Sequence, residues 1–275
     1  MPITILDGPL GTALADRGVA TPAPLWSAAA LTSHPSAVAD IHRAYARAGA
    51  TVHTANTFRT SRRAAGPQWR TLTRTAVVLA RSVLPREHRL AGSIAPLEDC
   101  YAPARSPARP GPEHALLAAA LVEAGCDLLL CETFPHLGEG LAAVEAAVAT
   151  GAEVWVSFTA GYRADLLTPE AIARGASAAV ERGAHAVLVN CIPARDTLRY
   201  VQPLAELGVP FGAYANAGHP DHGLGWGATD AGPQRYADVA EAWVELGATL
   251  IGSCCGTSAA TTAALAARFA PPATP

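Results

Sequence analysis

Short apolar, β-branched runs alternate along the chain with stretches of helical spacing, and this alternation predicts a repeated strand–helix unit. Eight strands are expected, at Ile3–Gly8, Thr51–Thr57, Arg89–Ala95, Asp127–Thr133, Val154–Ala160, Ala186–Cys191, Pro210–Asn216 and Thr249–Cys255. Helical spacing is clearest over Ser36–Ala48, Glu113–Glu123, Pro169–Arg182 and Gln234–Leu246. Several of the intervening segments close on a glycine before the next strand (Gly49, Gly125, Gly151, Gly183 and Gly247), where a left-handed residue ends a helix. Runs such as Leu128-Leu129-Leu130 and Val187-Leu188-Val189 do not alternate with polar residues, as expected of parallel strands buried on both faces.

Eight such units predict the α/β class and a closed (β/α)8 TIM barrel, forming one domain over residues 1–270 with a frayed tail at 271–275. An open doubly wound sheet would more often carry a glycine-rich dinucleotide turn, and Asp7-Gly8-Pro9-Leu10-Gly11-Thr12 is not G-x-G-x-x-G. The Pro/Arg-rich stretch Ala102–Pro112 and the Gly/His-rich stretch Gly218–Gly232 read as long loops after the third and seventh strands.

Composition narrows the chemistry. Half of the 275 residues are hydrophobic, 16% are charged and the net charge is −3, so there is no basic stripe for a nucleic acid. No run of 18 apolar residues is present to span a bilayer. All 20 basic residues are arginine, which excludes a lysine Schiff base, a pyridoxal phosphate lysine and a phosphate loop ending in Gly-Lys-Ser/Thr. The first residues show no basic segment leading into an apolar one, so a cytoplasmic protein is expected, a monomer or small homo-oligomer acting on small molecules. In a reducing compartment its six cysteines point to metal binding, catalysis or burial rather than a disulfide framework.

A barrel gathers the polar residues at its C-terminal strand ends on one face. Cys191 ends the sixth strand and Cys254-Cys255 the eighth. Three thiolates leave one position of a tetrahedral zinc open, although burial as small apolar side chains accounts for the same residues. Cys100, Cys126 and Cys131 read as core or loop residues. Asp7 and Glu132 end the first and fourth strands, where they would hold an ammonium group, exchange protons or help bind a metal; otherwise Asp7 caps a turn and Glu132 pairs with an arginine. His53 reads as a satisfied core histidine, and His219-Pro220-Asp221-His222 as a solvated turn. Trp26 and Phe58 offer aromatic faces to a cationic ligand or simply pack.

In chain order, several segments together resemble the homocysteine S-methyltransferase family. They are Leu6-Asp7-Gly8 with Thr12, Leu25-Trp26-Ser27, Arg47-Ala48-Gly49-Ala50 leading to Ala55-Asn56-Thr57-Phe58, Gly92-Ser93, Cys131-Glu132-Thr133, Ser157-Phe158-Thr159, Val189-Asn190-Cys191, Tyr214-Ala215-Asn216-Ala217-Gly218 and Gly252–Thr257. The resemblance spans nearly the whole chain, and its Asn-Cys and Gly-x-Cys-Cys elements are the specific ones. It implies the barrel, a Zn2+ held by Cys191, Cys254 and Cys255, and a homocysteine amino group gripped by Asp7 and Glu132. It further implies a carboxylate near the Gly8 amide and the hydroxyl of Ser157 or Thr159. Asn216, Trp26 and Phe58 complete the expected substrate-binding set, the two aromatics on the donor side. The implied reaction transfers a methyl group from S-methylmethionine or S-adenosylmethionine to the homocysteine thiolate, giving methionine. Two alternatives keep the cysteines: a related acceptor such as selenocysteine, or a non-catalytic zinc or redox sensor using Cys254-Cys255. Ser253 stands where the family usually has a second glycine and is expected to crowd the zinc loop.

Overall fold

The computed structural model describes residues 2–226 and 230–270. Its strands are β1 (Thr4–Ile5), β2 (Val52–Thr54), β3 (Arg89–Ile94), β4 (Leu128–Phe134), β5 (Glu153–Phe158), β6 (Ala186–Pro193), β7 (Phe211–Asn216) and β8 (Leu250–Ser253). All are parallel in the order β1-β8-β7-β6-β5-β4-β3-β2, with Thr4 opposite Leu250. A parallel bridge between Leu6 and Val52 joins the two ends, and the Asp7 amide donates to the Val52 carbonyl at 3.0 Å. The expected (β/α)8 barrel is observed.

The apolar runs are explained by burial on both sides of this ring. Leu128 and Leu130 point into the barrel with Leu6, Trp155, Leu188 and Leu250, while Leu129 and Cys131 pack outward. The outer layer comprises helices Pro35–Arg47, Trp69–Arg81, Gly111–Ala124, Leu137–Val148, Pro169–Glu181, Ala194–Val201, Gly232–Glu245 and Ala259–Phe269. Gly49, Gly125, Gly151, Gly183 and Gly247 all have positive φ, as a left-handed helix closure requires.

Four strands differ most from expectation, each for a local reason. β1 and β2 are shorter than Ile3–Gly8 and Thr51–Thr57, because Asp7, Gly8, Asn56 and Phe58 leave the ladder to line a cavity. β8 stops at Ser253, since the chain then turns through Gly256 at φ +82° with the Thr257 amide bonded to the Cys254 carbonyl. β6 continues to Pro193 across a register irregularity after Asn190. Among the described residues, the stretches after β3 and β7 carry 3-10 turns at Pro103–Arg105 and Pro220–His222. The expected tail at 271–275 lies outside the described residues. Among the described residues no helix is long and apolar enough to cross a membrane.

Candidate active site

A cavity of about 430 Å³ opens at the C-terminal ends of the strands, where such barrels carry their sites. Asp7, Asn56, Glu132, Cys191, Cys254 and Cys255 all line it. Two of the contributing strands are irregular at this point. The register of β4 shifts between Cys131 and Phe134, and that of β6 between Asn190 and Pro193. Inside these bulges Thr133 (φ +63°) and Cys191 (φ +51°) adopt left-handed backbone, a costly conformation that re-aims side chains toward the barrel mouth.

The three cysteines converge as the sequence suggested. Cys191 Sγ lies 4.0 Å from Cys255 Sγ, and Cys254 Sγ lies 3.8 Å from Cys255 Sγ. All six cysteines are free, so the vicinal pair is not bonded. A tetrahedral ion with metal–sulfur bonds of about 2.3 Å requires sulfur separations of about 3.8 Å, so this donor set fits such an ion. Hydrogen bonds from Cys191 and Cys254 push the Cys255 thiol well below its ordinary range. The same contacts, with burial, hold Cys191 well above it.

Hydrogen bonds across three loops hold this turn. The Cys255 carbonyl accepts from the Ala217 amide at 2.9 Å, the Gly256 carbonyl from the Trp226 amide at 2.9 Å, and Thr12 Oγ1 from the Gly256 amide at 3.1 Å. Ser253 does not crowd it: its hydroxyl accepts from Thr257 Oγ1 at 2.9 Å. Gly256 is the sensitive position, because its φ is +82° and an added Cβ would meet the Trp226 ring at 2.3 Å. Gly256→Ala is expected to cost roughly 1–3 kcal/mol and to weaken metal binding, as read by thermal melting and competition with a chelator. An unchanged melting temperature would contradict that role.

Neither carboxylate has the bland role open to it. Asp7 caps no helix; its Oδ2 accepts from the Thr54 amide at 2.9 Å. Burial, with Glu132 adding to it and the Thr54 amide opposing, pushes the Asp7 carboxyl up to about 8. Glu132 forms no ion pair among the described residues and accepts from the hydroxyls of Ser93 and Tyr214, the latter at 2.9 Å. Burial raises its pKa despite these two bonds. Two desolvated carboxyls without a cationic partner face the same cavity as the thiols, an arrangement suited to an incoming ammonium group.

Gly8, Trp26 and Phe58 line the cavity as expected, and the two rings stack with centroids 5.9 Å apart. Ser157, Thr159 and Asn216 are not brought to its wall. Ser157 donates to Asn190 Oδ1 at 2.8 Å, Thr159 Oγ1 accepts from the Gly161 amide at 3.0 Å, and Asn216 Nδ2 donates to the Cys191 carbonyl at 2.9 Å. Their polar atoms brace the site from behind. His219 and Asp221 form an exposed pair in the 3-10 turn, in line with the turn reading. His53 is buried, but only its Nε2 is satisfied.

The roles of four contributors escaped the sequence reading. Tyr214 points up inside the barrel to Glu132, and Asn190 ties Ser157 to the Thr133 amide and hydroxyl. Tyr101, from the loop after β3, lines the cavity with the buried Cys100. The Arg59 guanidinium lies 4.2 Å from the Trp26 centroid and bonds the carbonyls of Pro96 and Glu98. One face of Trp26 therefore already carries a cation.

Fold and site together define a barrel enzyme whose thiol triad can hold a metal ion beside two carboxylates. The homocysteine S-methyltransferase family profile matches residues 4–269. A homocysteine S-methyltransferase from Escherichia coli (strain K12) is 31% identical over 97% of this chain and 95% of its own length. An S-methylmethionine–homocysteine S-methyltransferase from Rattus norvegicus is 27% identical over 98% of this chain and 79% of that one. The crystal structure of the homocysteine methyltransferase MmuM from Escherichia coli, in its metallated form, superposes with a TM-score of 0.82 at 30% identity, covering 98% of this chain and 96% of that one. The chain belongs to the homocysteine S-methyltransferase family. It is a methyltransferase with homocysteine as its acceptor class.

Proposed function

We propose that the protein makes methionine from homocysteine with zinc held by Cys191, Cys254 and Cys255, and that its methyl donor is S-methylmethionine. The observation that carries this reading is the placement of three thiols within 4.8 Å of one another on the wall of a cavity that also holds Asp7 and Glu132. When bound, zinc supplies an open coordination position at which a substrate thiol loses its proton.

The protein's own residues do the positioning. Asp7 and Glu132 hold the substrate ammonium, and Ser93 and Tyr214 fix the Glu132 carboxylate so that it cannot swing away. The Gly8 amide meets the substrate carboxylate in this reading, and the absence of a side chain there is enforced by Tyr45, whose ring an added Cβ would meet at 2.6 Å. Trp26 and Phe58 wall the donor side and exclude water, and a sulfonium meets the ring faces that Arg59 leaves open. With both substrates fixed, sulfur and methyl carbon meet in line at about 3–3.5 Å, the separation that makes the transfer effectively intramolecular. The names of the rat relative and of the metallated bacterial structure support the donor and the metal respectively.

The Asp7 carboxyl sets the pH dependence. With its pKa up at about 8, the free enzyme carries it mostly protonated at neutral pH, so gripping an ammonium requires that proton to leave. The expected result is a kcat/KM for homocysteine that climbs with pH until about 8, and a shallower climb in Asp7→Asn, where the substrate thiol still titrates but Asp7 no longer does. A flat profile from pH 6 to 8 in the unsubstituted enzyme would count against the assignment. The donor is tested by offering zinc-loaded enzyme and homocysteine with S-methylmethionine, S-adenosylmethionine or betaine in parallel. Methionine formed fastest from S-methylmethionine is expected, and preference for either of the others would refute that donor.

A further inference from the structure

A second group of donor atoms includes Asp7 and none of the three thiols. His42, on helix Pro35–Arg47, and His53, on β2, are both fully buried. One ring nitrogen of each and an Asp7 carboxylate oxygen all lie within 4.8 Å of one another. Neither ring nitrogen of His42, nor Nδ1 of His53, has a hydrogen-bond partner among the described residues. A buried nitrogen without a partner is costly, and one nitrogen of each ring beside the same carboxylate calls for a guest that binds lone pairs.

The chemistry of the group favours a cation. Burial pushes His42 down to about 4 and His53 down to about 3, the Ala50 backbone offsetting the latter only in part, so both imidazoles are neutral and able to ligate. His53 Nε2 sits 3.0 Å from His88 Nδ1; a proton on that Nε2 leaves the Nδ1 lone pair free for the cluster. Ligating histidines commonly carry such an outer hydrogen bond. The Thr54 amide orients Asp7 in the same way through Oδ2. One carboxylate and two imidazoles suit a divalent first-row ion.

We propose that Asp7, His42 and His53 form a second, nitrogen- and oxygen-lined site for a divalent cation, whose occupant competes with the substrate ammonium for Asp7. The competition rests on the role given to Asp7 above; the binding itself does not. Bonds of about 2.1 Å require donors about 3.4 Å apart, so the side chains must draw inward. That closure makes the site weaker than the thiol triad, and it fills second.

The test is a titration of metal-free, tag-free full-length protein with Co2+. The first equivalent should bring intense sulfur-to-cobalt charge-transfer absorption, and the second only weak d–d bands. The second should also raise the KM for homocysteine several-fold while kcat stays constant. His42→Leu and His53→Leu should each lose the second equivalent and keep the first, whereas His219→Ala, in the exposed turn, should keep both. One equivalent in the unsubstituted protein overturns the proposal whatever the variants do. A second equivalent that survives in folded His42→Leu and His53→Leu proteins, verified by circular dichroism, overturns it too. Missing sulfur absorption with the second equivalent intact would refute the thiol-triad reading and leave this one standing.

Discussion

Cys255→Ala is expected to lower kcat/KM for homocysteine by roughly 10³-fold or more and to abolish tight retention of the first metal equivalent. Cys255 lies within 4.0 Å of both other sulfurs, so its loss leaves two donors where three met. Its thiol is also the one that its neighbours push toward ionisation. The backbone should be unaffected, because the bonds that hold the turn use the Cys255 and Gly256 carbonyls and the Gly256 amide. The metal-free variant should accordingly melt close to the metal-free parent. Metal analysis after gel filtration, with steady-state kinetics, checks the prediction; activity within tenfold of the parent would dismiss Cys255 as a ligand.

Asp7→Asn is expected to be far less active and more stable than the parent. The carboxyl stands at about 8 in the folded protein against an ordinary 3.8, and burial is the main cause. A carboxyl raised in the folded state binds its proton more tightly there than in the unfolded chain, so its contribution to stability declines as pH rises from about 4 to 8 and levels off above that. Forcing the ionised form into this site costs on the order of 5 kcal/mol. Asparagine removes that cost and can still accept from the Thr54 amide. Melting of chelator-treated proteins should show no advantage for Asp7→Asn at pH 4 and an advantage of several degrees at pH 8.5. Its kcat/KM should fall by about 10²-fold or more, because a neutral amide cannot match the ammonium charge. A variant with no stability gain at high pH would show that Asp7 is not held in the buried form described.

The legible parts of this molecule are those written in local pattern. Glycines such as Gly125 mark helix closures directly, and runs such as Leu128-Leu129-Leu130 follow from strands buried on both faces. The cysteine triad was legible as residue type at strand ends, since the barrel brings those ends together whatever their separation along the chain. The bracing of the site was not. Tyr214 reaches Glu132 across 82 residues, and no local signal distinguishes an inward tyrosine from ordinary core. Ser157 shows the converse, a strand-end hydroxyl that looks available until Asn190 is seen to occupy it. Asp7 and Glu132 were ambiguous for the same reason: only their surroundings exclude a cap and an ion pair.

The most direct test of the thiol site is X-ray absorption at the zinc edge on protein loaded with one equivalent of zinc, before and after homocysteine is added. Three sulfur scatterers at about 2.3 Å, rising to four with homocysteine, are predicted. A shell of nitrogen and oxygen alone, or a sulfur count that does not change when homocysteine binds, would contradict it.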